Sequence, residues 1–256
     1  MVGTQVAIST VGRVSDVLPN DVSLLSIKEH NMSTLYTINV INNSPTAQDF
    51  FFFQKPAIYT GGAKVYSNSI YQEVLQPYAN SGSVLTFECL MQFYAGAQTQ
   101  LPNLSVGQDS GFITSSQAVD LTSATAGVQT ANTTLLSVDP SLGLSPASYT
   151  EGVQPGAYRI ITPAFNPITE VLNAGLAVQS ASGGTVLSSF INAEPSKNID
   201  CQPVLSFYVQ TGTYQPGTVI NFSTSSVGSA ICDTTQGVTA FNVTYNPQGT
   251  WTVTSA

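Results

Sequence analysis

Apolar residues recur at every second position through residues 35–41, where Tyr36, Ile38 and Val40 alternate with Thr37 and Asn39. Period two turns successive side chains to opposite faces, so this segment presents one apolar face as a β-strand does. It ends in the turn cluster Asn42-Asn43-Ser44-Pro45. The same style recurs at 64–67, 69–75 and 83–90, with turn signals at Gly61-Gly62 and Asn80-Ser81-Gly82. Further along, 157–161, 204–209, 218–222, 238–245 and 250–253 also read as strands, the last two joined by Asn246-Pro247-Gln248-Gly249. Segments 175–179 and 185–191 flank Ser182-Gly183-Gly184, which suggests a hairpin. Phe50 to Phe53 form a run with no polar face. So short a run suits the middle of a sandwich or barrel better than a helix.

A helical stripe is offered only at 16–28, where Asp16 could cap a turn and Pro19 interrupts a longer helix. Strands at regular spacing without helices between them imply antiparallel sheets. The expected fold class is therefore all-β, an antiparallel β-sandwich.

Length allows one large β domain or two smaller ones. Residues 78–87 and 214–222 share a Gly-[Ser/Thr]-Val-[Leu/Ile]-x-Phe pattern, each following an aromatic-rich strand. That echo supports two tandem sandwiches at 1–105 and 149–256, joined by the Ser/Thr/Ala-rich segment 106–148. The segment is long for a bare loop and could hold weak strands at 111–121 and 128–138. A single large β domain is the alternative.

Charge is scarce. Only 8% of residues are Asp, Glu, Lys or Arg, against about 25% in ordinary soluble domains. Ser, Thr, Asn and Gln must therefore meet the solvent, a composition compatible with an extracellular protein and poor for helices. Net charge is −8, and the six basic residues are scattered rather than striped. This disfavours nucleic acid and anionic lipid as partners. No run approaches the roughly 20 apolar residues of a membrane helix. Residues 1–17 lack the basic start and apolar stretch of a signal peptide. Location is thus left open: inside the cell, exported by another route, or numbered without a leader. Several Asn-x-Ser/Thr sequons occur, for example at Asn42, Asn132 and Asn242, and they matter only in a secreted protein.

Chemistry-bearing motifs are few. The cysteines Cys89, Cys201 and Cys232 form no C-x-x-C pair. Buried free thiols are the expectation, with Cys201–Cys232 the bridge to test in an oxidising compartment. One histidine, His30, completes neither a zinc site nor a Ser–His–acid triad, and no Gly-x-Ser-x-Gly elbow occurs. Calcium-loop and phosphate-cradling patterns are likewise missing, so neither metal nor cofactor is expected. Glu73 and Glu88, on neighbouring candidate strands, are the pair that a carboxylate-dependent hydrolase would need. Strand alternation with Phe87 and Cys89 would instead turn Glu88 outward.

Surface recognition remains. Tyr59, Tyr66 and Tyr71, with Asn68, combine aromatic faces and an amide, the groups that hold neutral sugars without charge. Tyr78, Gln72 and Gln76 lie close by in sequence, while Trp251 reads as core. The functional expectation is a non-enzymatic protein acting by surface binding or self-assembly, with neutral glycan or a second copy of itself as partner. Alternatives are the hydrolase and a β-pore former built on the low-charge stretch 111–136, whose alternation breaks at Ser115-Ser116.

Overall fold

The computed structural model describes residues 35–256 apart from 61, 62, 91 and 180–183. The candidate helix at 16–28, His30 and the Gly61-Gly62 turn lie outside the described residues. Among those described, about 50% are strand and 4% helix, so the protein is all-β, with antiparallel sheets packed in a sandwich-like arrangement.

In chain order the first strands are β1 (Leu35–Asn42), β2 (Gln48–Gln54), β3 (Ile58–Tyr59) and β4 (Tyr66–Leu75). One helical turn, α1 (Tyr78–Ser81), precedes β5 (Leu85–Leu90) and β6 (Phe93–Gln100). The Ser/Thr-rich middle contributes β7 (Gly111–Val119), β8 (Thr133–Ser137) and β9 (Gly143–Leu144). Then come β10 (Tyr158–Ile161), β11 (Leu172–Gln179), β12 (Thr185–Asn192), β13 (Asn198–Gln202) and β14 (Ser206–Thr211). The chain finishes with β15 (Val219–Ile220), α2 (Phe222–Ser225), β16 (Ala230–Asp233), β17 (Ala240–Tyr245) and β18 (Trp251–Ser255).

These strands make three sheets. The largest has nine strands in the order β16-β14-β2-β4-β12-β11-β6-β7, with β15 also on β4. A four-stranded sheet runs β18-β17-β1-β5, and a five-stranded one β3-β13-β10-β8-β9. Each sheet draws strands from both sides of segment 106–148, and the described residues belong to one compact unit. The two echo segments take different structures: 78–87 supplies α1 and the start of β5, whereas 214–222 supplies β15 and the start of α2. Most neighbours are antiparallel, but β1–β17 and β8–β10 are parallel. Parallel pairs need a long connection rather than a tight turn, and both pairs join strands distant in sequence.

Local chemistry explains the layer changes. Tyr36, Ile38 and Val40 on β1 face inward, and so does Asn42, which is fully buried. Its carboxamide donates to the carbonyls of Thr46 and Leu75 and accepts from the Ser44 N–H and hydroxyl. That Asx turn carries the chain from the four-stranded sheet into β2 of the nine-stranded one. At the other end, Asn246 N–H donates to Thr250 O, and Gly249 (φ 75°) takes the left-handed position that closes the β17–β18 hairpin. Strands β11 and β12 pair antiparallel from Asn173–Asn192 to Gln179–Thr185, as a hairpin requires, while Ser182 and Gly183 of the expected turn lie outside the described residues.

Two cores sit on one face of the large sheet. Alternate β11 residues Leu172, Ala174 and Leu176 enter the core under the five-stranded sheet, and Val178, next in the alternation, packs on the core under the four-stranded sheet. Strand β2 is apolar on both sides. Phe50 and Phe52 join the core under the four-stranded sheet, where Phe52 stacks on Phe87 at 4.8 Å. Phe51 and Phe53 face the opposite way, into a cluster with Tyr208 and Ile220. Trp251 meets Phe50 edge-on at 5.8 Å. No helix among the described residues is long and apolar enough to cross a membrane.

All three cysteines are buried and free; Cys201 belongs to one core and Cys232 to the other, so this pair is not bridged. Burial pushes each thiol up to about 12 from an ordinary 9.0. Because the raised values favour the neutral form in the folded state, they cost nothing below the unfolded pKa; stability then falls as pH rises from 9 toward 12. We expect no labelling of native protein by a thiol reagent at pH 8, labelling of all three thiols in denaturant, and a thermal midpoint that drops above pH 9. Rapid labelling of folded protein would contradict this packing.

Candidate ligand groove

The four residues proposed from sequence as a sugar site are placed in different surroundings. Tyr59 is buried in the core under the five-stranded sheet. Its position follows from a β-bulge: between Leu176 and Ala177 the β11–β12 register shifts, which breaks the ladder. The Tyr59 hydroxyl donates to the Ser189 carbonyl at 2.7 Å and accepts from the Leu176 N–H at 3.1 Å. It thereby satisfies backbone groups on both strands of the bulge. Desolvation holds its pKa well above the ordinary tyrosine value, so the donor proton is retained. Tyr158, opposite Cys201 in register, donates in the same manner to Gly175 O at 2.9 Å.

Asn68 is also spent internally. It is fully buried and donates to Ser110 Oγ at 2.8 Å and to Leu187 O at 2.9 Å. Tyr71 packs against Phe52 and Phe87, at ring distances of 5.7 and 5.8 Å, as part of the first core. Tyr78 is exposed on α1. Of the expected set, Tyr66 alone lines an open groove.

That groove holds about 370 Å³, within the range of small-molecule sites. Tyr66, at the start of β4, forms one wall; its ring stacks on buried Phe190 at 5.5 Å and 13°. Val219 and Ile220 of β15 pair with Asn68 and Ser67 of β4, which brings the following α2 to the opposite wall. There Asn221 accepts from Thr224 N–H as the helix cap. Phe222 is wedged edge-on between Phe53 at 5.9 Å and Tyr208 at 5.3 Å. The β6–β7 loop closes a third side with Leu104, Ser105 and Val106, tied down by Gly107 N–H to Val219 O. Lys64 is the one charged side chain among the described lining residues, its ammonium 4.6 Å from the Tyr66 ring centroid. Sequence reading missed Phe222, Asn221 and the β6–β7 loop, because they meet Tyr66 only through the β15–β4 pairing.

Other candidate chemistry does not converge. Glu73 is exposed on β4 of the nine-stranded sheet, whereas Glu88 lies on β5 of the four-stranded sheet, opposite Thr37 and flanked by buried Phe87 and Cys89. Stretch 111–136 does not form one hairpin: β7 pairs with β6, and β8 with β10 and β9. Among the described residues no three His, Cys, Asp or Glu side chains gather as a metal site. Sequon residues Asn42 and Asn132 are fully buried, whereas Asn242 is exposed. Comparison with family models, curated proteins and solved structures returns no match.

Tyr59→Phe is expected to lower stability by about 1–3 kcal/mol, because it strands buried backbone groups at the bulge. Tyr66→Phe, which keeps the ring stacked on Phe190, is expected to change stability little. Denaturant midpoints at unchanged m-value check both; equal effects would refute the division between a structural and a groove tyrosine.

Proposed function

We propose that the protein acts by binding and not by covalent chemistry, and that the Tyr66 groove takes an uncharged, hydroxyl-rich ligand, a neutral sugar being the best-fitting class. The observation that carries this reading is the Tyr66 ring itself, held rigid against Phe190 at the groove wall. A fixed aromatic face offers apolar contact at low entropic cost. Asn221, Ser105 and Ser223 add amide and hydroxyl groups suited to ring hydroxyls, and Lys64 adds a donor. Among the described residues no carboxylate lines the groove, which favours recognition over acid–base hydrolysis.

A glycan array followed by calorimetry tests the proposal. Neutral saccharides should bind, and Tyr66→Ala should weaken them by about tenfold, roughly 1.4 kcal/mol. An array without binders, or affinity indifferent to Tyr66→Ala, would refute the reading.

A further inference from the structure

The three sheets end at six edges. Strands β3 and β9 have two residues each, β16 has four and carries Asp233, and β5 carries Glu88. Short or charged strands discourage edge pairing. Strand β18 is uncharged but has five residues. Strand β7 differs: it is nine residues long (Gly-Phe-Ile-Thr-Ser-Ser-Gln-Ala-Val) without charge or proline, and among the described residues it pairs with β6 alone. Alternate residues of an edge strand turn their N–H and C=O groups away from the sheet. No backbone hydrogen bond joins residues 112–118 to any other described strand.

The strand also exposes apolar surface at a strained position. Phe112 is 50% exposed and Ile113 66%. Ile113 is the extra residue where the β6–β7 register shifts, and its φ is 54°. A β-branched residue in the left-handed region is disfavoured; here that conformation directs no side chain into a core.

We propose that β7 is a self-association edge, pairing antiparallel with β7 of a second copy about a two-fold axis, which would join two nine-stranded sheets into one. A chain of net charge −8 repels its own kind over most of its surface. Along β7 nothing charged opposes itself. With the axis at Ser115, the strand's midpoint, Phe112 faces Ala118 of the copy, Thr114 faces Ser116 and Ser115 faces Ser115. Phe112 and Ala118 bring apolar surface together and the Thr114–Ser116 and Ser115–Ser115 pairs bring hydroxyls together, while Ile113 at the bulge faces Gln117. Asp109 and Asp120 flank the strand and fall outside the paired region. Each then approaches the other's counterpart, so screening by salt strengthens the pair. The inference does not depend on the groove.

Sedimentation velocity across a wide concentration range should show a reversible monomer–dimer equilibrium that shifts to dimer with added salt. Ser115→Lys places two like charges on the axis and should weaken dimerisation by about tenfold or more. Thr252→Lys on β18 should leave it unchanged, as should Tyr66→Ala. If Ser115→Lys misfolds by circular dichroism, Ser115→Cys decides the matter. Opposed strand residues sit within disulfide range, so mild oxidation should cross-link this variant, while wild type with its buried thiols and Thr252→Cys stay uncross-linked. A monomer at every concentration, or a dimer broken by Thr252→Lys and not by Ser115→Lys, would overturn the proposal.

Discussion

Four consecutive phenylalanines leave β2 without a polar face, so it is stable only where both sides of a sheet are covered. The fold meets that demand by pairing β2 with β14 and β4 along its edges. One face packs under the four-stranded sheet, and the other under Tyr214, Phe222 and the β15 segment. The second covering makes the groove. Phe222 closes over Phe53 and Tyr208, and the Asn221 cap holds it there, so one wall of the candidate site is also the lid on the rear face of β2. Binding surface and core are the same piece of packing.

Large sheets that change register need their freed backbone groups satisfied, and this protein uses tyrosines for the purpose. Tyr59 at the β11–β12 bulge and Tyr158 on Gly175 O connect the five-stranded sheet to the nine-stranded one by hydrogen bonds within an apolar core. Close approach is possible because residue 175 is glycine: a Cβ there would collide with the Tyr59 hydroxyl. On the outer side of the four-stranded sheet, uncharged groups pair among themselves, Thr86 Oγ1 donating to Asn39 and Asn39 to Asn242. Scarce charge thus reflects a surface built on hydroxyl and amide ladders. Arg159 and Asp200 form a part-buried exception, a two-pronged ion pair across β10 and β13.

Strands with strict alternation were legible in the sequence: β1 and β17 carry their buried residues, and β18 its half-buried Trp251 and Val253, where period two puts them, and the phenylalanine run occupies a sheet interior. Strand β6 was not, because Ala95, Gly96 and Ala97 are buried yet too small to give a hydrophobic signal. Close packing against Leu187 explains why residue 96 is glycine. Strands β13 and β16 were hidden by polar residues whose partners, such as Arg159 for Asp200, lie far away in sequence. Residues 218–222 read as one strand, but it stops at Ile220 because Asn221 caps a helical turn. In the candidate site only Tyr66 could be picked out. Tyr59 and Asn68 carry the same side-chain chemistry, and nothing in their local sequence reveals that the bulge and Ser110 claim their hydrogen bonds.

Native-state hydrogen exchange along β2 addresses the two-sided burial most directly. With both edges paired and both faces covered, the amides of Phe51, Phe52 and Phe53 should belong to the slowest class, exchanging only through global unfolding. Exchange of these amides at free energies well below that of global unfolding would mean that one face of β2 is open, and the groove built upon it would lose its foundation.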